Sequence, residues 1–296
     1  MPVVGFVSEK GGVGKTTACY HISVALQKYH GKRVLIVDTD YQRGGITCRF
    51  LPEFIEHFRT GQLPGMTTLW AKFQQLYSGQ NITLDIEILD TQEGLKIIPA
   101  DPRLSQVTVD KMPASNNIRE NNRSLWRHLS LIRTVLEPQI NNYDYIMIDS
   151  HPEISEVLRS VIYASDYCVS PVKLDLQSSI GVPSTIEAIN EVNADVEMIQ
   201  HALNDLPESK KTQFVGAIGM MAREWGGILK ATERREYRRL ERSGGIFQAY
   251  VTEGDGLRQA AANRTPVYNI TGANAERQAS QFRQVTEEFL NKCPQQ

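Results

Sequence analysis

The chain has 296 residues, enough for one large domain or two small ones and for a substantial core. Hydrophobic residues make up 41%, charged residues 22% and aromatics 8%, which excludes disordered, collagen-like and disulfide-dense classes. A net charge of -2 excludes a globally basic nucleic-acid binder but leaves a local patch open, and the sequence contains no long unbroken apolar run that would suggest a membrane span. The opening stretch MPVVGFVSEKGG lacks the basic leader, apolar segment and small-residue cleavage site of a signal peptide, so a cytoplasmic location is expected. Cys19, Cys48, Cys168 and Cys293 are scattered without paired spacing and read as reduced thiols rather than a zinc site or a disulfide framework.

In chain order, the first strand is expected over Val3 to Val7 and the second over Val34 to Val37. Between them Ala18, Ile22, Ala25, Leu26 and Tyr29 fall on one helical face, which completes a βαβ unit. Residues 44 to 70 are rich in Gly, Pro and other polar residues and read as a loop. A strand over Leu95 to Ile98 follows, and then a second loop over residues 112 to 124, where no periodicity is visible. Further short apolar strands are expected over Tyr145 to Ile148, Tyr167 to Pro171 and Phe214 to Met220, as suits strands covered on both faces. Ala279, Phe282, Val285 and Phe289 recur at helical spacing and predict a terminal helix packed on the core. The fold class is therefore α/β, a doubly wound, mostly parallel sheet with helices on both faces, in a single domain over residues 1–296.

Directly after the first strand stand Lys10, Gly11, Gly12, Val13, Gly14, Lys15, Thr16 and Thr17, opening the first helix. Glycines let backbone N–H groups close around a phosphate, the helix N-terminus contributes its positive dipole end, Lys15 can reach the outer phosphates, and the Thr16 hydroxyl can ligate Mg²⁺. The ordinary phosphate-loop pattern requires glycine where Glu9 stands. With Lys10 ahead of GGVGKT, the loop instead resembles the deviant form of the ParA/MinD family of partition and positioning ATPases. That resemblance implies a P-loop NTPase fold, ATP and Mg²⁺ as cofactors, and a nucleotide-sandwich homodimer in which Lys10 reaches the partner's nucleotide. It extends to Arg264, Thr265, Pro266 and Val267, similar to the family's Lys-Pro-Val after its last core strand.

The second strand ends in Asp38, Thr39, Asp40, Tyr41, Gln42, where the family usually reads Asp-x-Asp-Pro-Gln. Carboxylates at i and i+2 on an extended strand point the same way, so both can face a metal and phosphates at the carboxyl edge of the sheet. The resemblance implies that Asp40 positions the attacking water and that Asp38 holds the Mg²⁺ shell, with Lys10, Lys15 and Asp40 as the catalytic set. The strand from Tyr145 ends in Asp149, suited to bind Mg²⁺ through water. The family then commonly reads Thr-Pro-Pro, whereas here Ser150, His151, Pro152 follow. His151 is either a loop residue or a contact to nucleotide or partner subunit. It is not required as a base, because phosphoryl transfer to water rests on positioning and charge neutralisation.

From Ile228 to Ser243 the pattern predicts a helix with Lys230, Arg234, Arg235, Arg238, Arg239 and Arg242 on one face and Leu229, Tyr237 and Leu240 on the other. Solvated i,i+4 Glu–Arg pairing explains part of such a face. The resemblance adds the alternative of non-specific DNA binding, with Arg258 and Arg264 as further candidates. The implied function is a slow ATP hydrolase, stimulated by a ParB-like or carboxysome-type adaptor, that dimerises on ATP, rides nucleoid DNA and positions a plasmid, chromosome or carboxysome. A MinD-like membrane-associated ATPase is the alternative, disfavoured by the mixed charge of the last helix.

Overall fold

The computed structural model describes residues 1–295 apart from 43, 44, 62, 64, 208, 209 and 244. Strands β1 (Val3–Phe6) and β2 (Val34–Asp38) flank helix α1 (Lys15–His30), and α2 (Ile46–Phe50), α3 (Phe54–Thr60) and α4 (Leu69–Tyr77) follow. Then come β3 (Leu89–Asp90), β4 (Lys96–Ile98), α5 (Ile118–Leu136), β5 (Tyr145–Asp149), α6 (Glu156–Ala164), β6 (Tyr167–Lys173) and α7 (Leu176–Ala202). The chain continues with β7 (Gln213–Ala222), a small hairpin of β8 (Glu224–Trp225) and β9 (Ile228–Leu229), α8 (Ala231–Ser243), β10 (Ile246–Thr252), α9 (Asp255–Ala262) and α10 (Ala273–Lys292).

Eight strands form one sheet in the order β10-β7-β6-β1-β5-β2-β4-β3. All neighbours run parallel except β3, which pairs antiparallel with β4 at one edge. β1 lies between β5 and β6, so the segment after β1 leaves the sheet at its carboxyl edge, where open α/β sheets bind ligands. The register pairs Phe6 with Asp149 and Asp38 with Asp149, which brings the ends of β1, β5 and β2 to one level. β1, β2 and β5 are buried at every position, as a sheet covered on both faces requires. One face packs Ile22 and Leu26 of α1 and Phe282, Val285 and Phe289 of α10, and the other packs Leu131 and Ile132 of α5, Val161 of α6 and Val192 of α7.

The terminal helix behaves as its periodicity predicts, with Ala279, Phe282, Val285 and Phe289 all buried. Tyr29, expected on the inner face of α1, is 41% exposed and meets Tyr268 edge-on instead. The two expected loops need correction. Residues 44–70, of which 44, 62 and 64 lie outside the described residues, contain α2, α3 and the start of α4, and residues 112–124 end in the first turns of α5. Short helices hide in such stretches because one or two apolar anchors suffice: Phe50, Phe54 and Phe58 are buried in the core below α1. Asn117 caps α5 by accepting a hydrogen bond from the Arg119 amide at 2.9 Å. β10 and the β8–β9 hairpin were also missed, and Leu229 belongs to that hairpin rather than to α8.

His21 ties α1 to the C-terminal segment. Its Nδ1 donates to the Thr17 carbonyl at 2.8 Å, and its Nε2 accepts from the Val267 amide at 3.1 Å. That bonding pattern requires the neutral ring, and burial, opposed by the Thr17 contact, lowers its pKa to about 4 from 6.5. A lowered histidine pKa supplies stability above pH 6.5 that is lost as pH falls through about 4, worth on the order of 3 kcal/mol. Asp38, pushed up to about 7 chiefly by burial, acts with the opposite sign but cancels in a comparison of variants. His21→Gln should therefore cost the most stability above pH 6.5 and progressively less toward pH 4, as read by denaturant midpoints. A difference independent of pH would contradict the neutral-ring assignment.

Candidate functional site

The loop between β1 and α1 forms a cradle whose backbone only glycine accepts easily. Gly12 and Gly14 have φ of 71° and 98°, and a Cβ on Gly14 would press to 3.2 Å from the Met220 side chain. α1 begins with Gly14 at its cap, no side chain caps its amides, and no acidic residue occupies its first turn. The positive end of the helix is therefore left for an anion. Val13 is buried, Gly11 and Gly12 are exposed, and Thr16 and Thr17 are half-buried at the helix entrance. Lys15 is buried, with its Nζ 3.4 Å from the Lys10 carbonyl. Burial lowers its pKa, and Asp149 and then Asp40 pull it back up. Lys10 turns its Nζ toward Gln177 Oε1, at 3.3 Å, at the start of α7.

The three carboxylates expected near the phosphates stand at the same sheet edge with different bonding. Asp38 is fully buried and saturated: its Oδ1 accepts from the Asp40 amide at 3.0 Å, and its Oδ2 accepts from the Thr47 amide and hydroxyl, both at 2.7 Å. Asp149 is equally buried, yet neither of its oxygens has a hydrogen-bond partner. Burial, then Asp38 and Asp40, push its pKa well above the usual carboxylate range, while Lys15 opposes them. An orphaned carboxylate beside two others fits a cation. Among the described residues no group of three or more His, Cys, Asp or Glu has metal-holding geometry. Mg²⁺ takes few protein ligands and keeps waters and phosphate oxygens.

Asp40 differs again. Its Oδ1 accepts from the Gln42 amide and faces His151 Nδ1, each at 3.0 Å, and no described residue bonds its Oδ2. His151 is buried, and the Tyr41 ring stacks on it at 3.8 Å between centroids. The loop after β5 is held by Ser150, whose hydroxyl donates to the Phe6 carbonyl at 2.8 Å.

The arginine-rich helix separates into two kinds of cation. All six basic residues are exposed, while Glu233 and Glu236 are buried, against the expectation that its acids are solvated partners. Arg235 and Arg239 lie 3.1 and 3.8 Å from Glu236, and Arg223 holds Glu233 at 2.5 Å. Among the described residues no carboxylate lies within ion-pair distance of Lys230, Arg234, Arg238 or Arg242, which recur every four positions along one ridge. Arg258 is exposed and 3.5 Å from Glu253, and Arg264 is exposed with a left-handed φ of 51°. Neither belongs to α8.

Sequence reasoning missed Thr47, which saturates Asp38 from nine residues away, and Arg49, whose Nη1 donates to Thr17 Oγ1 at 3.4 Å. No motif marks either residue. Burial lowers the Arg49 pKa and Asp149 opposes this, so a half-buried cation on α2 stands beside the loop in addition to Lys15.

A protein-family profile described as an AAA domain matches residues 1–203. The sporulation initiation inhibitor protein Soj of Bacillus subtilis is 29% identical over 203 residues, covering 68% of this chain and 67% of its own. The chromosome partitioning protein ParA of Caulobacter vibrioides is 26% identical over 196 residues, 66% of this chain and 64% of its own. The matched part thus spans about two thirds of these relatives' length. Among solved structures, the McdA–ATP complex from Cyanothece superposes with a TM-score of 0.71 at 17% identity, covering 99% of this chain and 96% of that one. A plasmid partition protein from Borrelia burgdorferi bound to AMPPNP gives 0.62 at 20% identity, covering 98% and 99%. Cobyrinic acid a,c-diamide synthase from Mycobacterium smegmatis, with ADP and magnesium, gives 0.63 at 16% identity, covering 98% and 94%, so the fold also serves other chemistry. With a glycine cradle, a buried lysine and aspartates at the carboxyl edge of a parallel sheet, the chain belongs to this AAA domain family and is a ParA/MinD-type ATPase.

Proposed function

We propose that the protein hydrolyses ATP slowly, dimerises around the nucleotide, and in that state binds DNA without sequence preference to position a cargo through an adaptor. The observation that carries the reading is the uncapped, acid-free start of α1 beside the buried Lys15 and the unpartnered oxygens of Asp149. The amides from Gly11 to Thr17 and the Lys15 ammonium would hold the phosphates, and Thr16, with Asp149 through water, would hold Mg²⁺. Bound there, Mg²⁺ supplies neutralisation of the charge on the transferred phosphoryl group. Asp40 orients the attacking water with its free Oδ2, and Asp38, held by Thr47 and the Asp40 amide, fixes the strand end and borders the metal shell. Lys10 leaves Gln177 to reach the nucleotide of the second subunit.

The DNA reading rests on the unpaired ridge of Lys230, Arg234, Arg238 and Arg242, with Arg235, Arg239, Arg258 and Arg264 as flanking cations. Four residues of α-helix rise about 6 Å, so the ridge presents a charge at each such step, suited to phosphates rather than bases. The relative named for chromosome partitioning supports a cargo of that kind, with a carboxysome as the other cargo that the family resemblance implies. The adaptor is then ParB-like or of the carboxysome type, and the place of action is the cytoplasm, on the nucleoid. A MinD-like membrane role has less support. α10 buries its apolar stripe in the core and exposes both Arg283 and Glu287, and no helix among the described residues is long and apolar enough to cross a membrane.

Lys15→Ala should abolish ATP binding in equilibrium titration, whereas Asp40→Ala should bind ATP, block turnover and accumulate as a dimer in light scattering. Rapid hydrolysis by Asp40→Ala would remove Asp40 from its role.

Replacing Arg234, Arg238 and Arg242 together by alanine should lower ATP-dependent affinity for random duplex DNA and reduce the slope of log K against log salt by about 3 for each subunit whose ridge meets the DNA. Dimerisation should persist. Arg235 and Arg239 are poorer test sites, because removing both strands the buried Glu236 carboxylate and destabilises α8. An unchanged salt slope in the triple variant would move the DNA surface elsewhere.

A further inference from the structure

Two of the places where the chain leaves the family's pattern around the aspartates, Tyr41 and His151, touch each other and Asp40. We infer that His151 is a positioning residue for ATP hydrolysis: its Nδ1–H clamps one oxygen of Asp40 so that the other faces the attacking water. The inference rests on the ATPase reading above and adds to it the group that orients the water-binding carboxylate.

A carboxylate accepts and cannot donate, so the nitrogen 3.0 Å from Asp40 Oδ1 carries the proton. The same oxygen accepts the Gln42 amide at 3.0 Å. Two N–H donors on Oδ1 fix the rotation of the carboxylate about its Cβ–Cγ bond, and among the described residues none donates to Oδ2. The Asp40 side chain keeps 11% of its surface exposed while that of His151 keeps 1%. The clamp is therefore buried more deeply than the carboxylate it holds. The Tyr41 ring lies over the imidazole at 28° between planes, which restricts rotation of the ring. Tyr41 directly follows Asp40, so the backbone that places the carboxylate also places the ring that steadies its clamp. His151 Nε2 is buried without a hydrogen-bond partner, its nearest carboxylate being Glu153 at 3.6 Å, so the ring is held by Nδ1 and by stacking. His151 removes no proton from water and touches no phosphate. It acts only through Asp40, by reducing the number of carboxylate orientations that must be lost on reaching the transition state.

Two substitutions separate the hydrogen bond from the stack. His151→Phe keeps a ring against Tyr41 and removes the donor. His151→Asn places an amide nitrogen where Nδ1 stood and removes the ring. Single-turnover hydrolysis at saturating Mg²⁺–ATP should slow roughly tenfold to a hundredfold in H151F, with ATP affinity within about twofold of wild type, as expected for a term absent from ground-state binding. H151N should recover most of the lost rate. A wild-type rate in H151F, equal losses in both variants, or losses that follow ATP affinity would overturn the inference. Far-ultraviolet circular dichroism and ATP binding verify that each variant is folded. Asp40→Ala, assayed alongside, distinguishes the two levels: an inactive D40A with an active H151F removes only the role of His151, whereas an active D40A removes the ATPase assignment of Asp40 and the clamp with it.

Discussion

The structure depends on a group of buried charges that does not balance. Asp38, Asp40 and Asp149 meet at the carboxyl edge of the sheet, and Lys15 is the buried ammonium that faces them. Asp38 is stabilised by three hydrogen bonds from its own chain, yet its pKa is still pushed up to about 7, first by burial and then by the neighbouring Asp40. Asp149, fully buried beside Asp38 and Asp40, is also raised well above the usual carboxylate range. The fold places these groups there because β1, β2 and β5 end at one level, a register fixed by continuous apolar strands. Under the proposed function, a cation and a polyanion entering together would satisfy both halves, the metal beside Asp149 and the phosphates at the bare helix end and Lys15. Binding of that pair to the folded chain alone would stabilise it by mass action.

Much of this site is legible in the sequence because its parts are consecutive. Eight residues from Lys10 to Thr17 encode the cradle, Asp38 and Asp149 each close an apolar run that reads as a covered strand, and Asp40 follows two residues after the first. What escapes is whatever depends on contacts between distant residues. The Thr47 bonds to Asp38 and the 3.0 Å contact between His151 and Asp40, 111 positions apart, follow from loop paths that no periodicity describes. Tyr41 and His151 could each be seen as departures from a pattern, but only the fold shows them stacked. The helices α2 and α3 were missed for a related reason: five and seven residues are too few for a hydrophobic period, and their stability comes from burying Phe50, Phe54 and Phe58.

Helix α8 shows that summed charge is a poor guide to a charged surface. Its acids and its arginines do not neutralise one another along a solvated face. Glu233 and Glu236 point inward, where each must have a cation, and they engage Arg223, Arg235 and Arg239. Those arginines hold the helix in place, and their replacement reports on stability as much as on binding. The cations left over, Lys230, Arg234, Arg238 and Arg242, are aligned because they share a four-residue spacing. A helix that divides its arginines in this way can keep a fixed geometry while presenting an unpaired ridge to a polyanion.

Thr17 connects the phosphate loop with the rest of the molecule. Its hydroxyl accepts from Arg49, which follows the loop after β2, and its carbonyl accepts from His21 Nδ1, whose other nitrogen takes the Val267 amide. Both nitrogens of His21 are committed, so the ring cannot turn without breaking one bond, and Phe282 stacks on it at 4.7 Å to close the remaining side. Three regions distant in sequence, the loop after β2, the first turn of α1 and the segment from Arg264 to Val267, are therefore joined through one residue of the cradle. A shift of the helix start on meeting a phosphate must either carry Val267 with it or sacrifice a buried hydrogen bond. Breaking that bond leaves a buried donor or acceptor unpaired, at about 1–3 kcal/mol, and moving α1 relative to α10 would disturb the stack of His21 on Phe282, so the C-terminal segment holds the helix start in place from two sides.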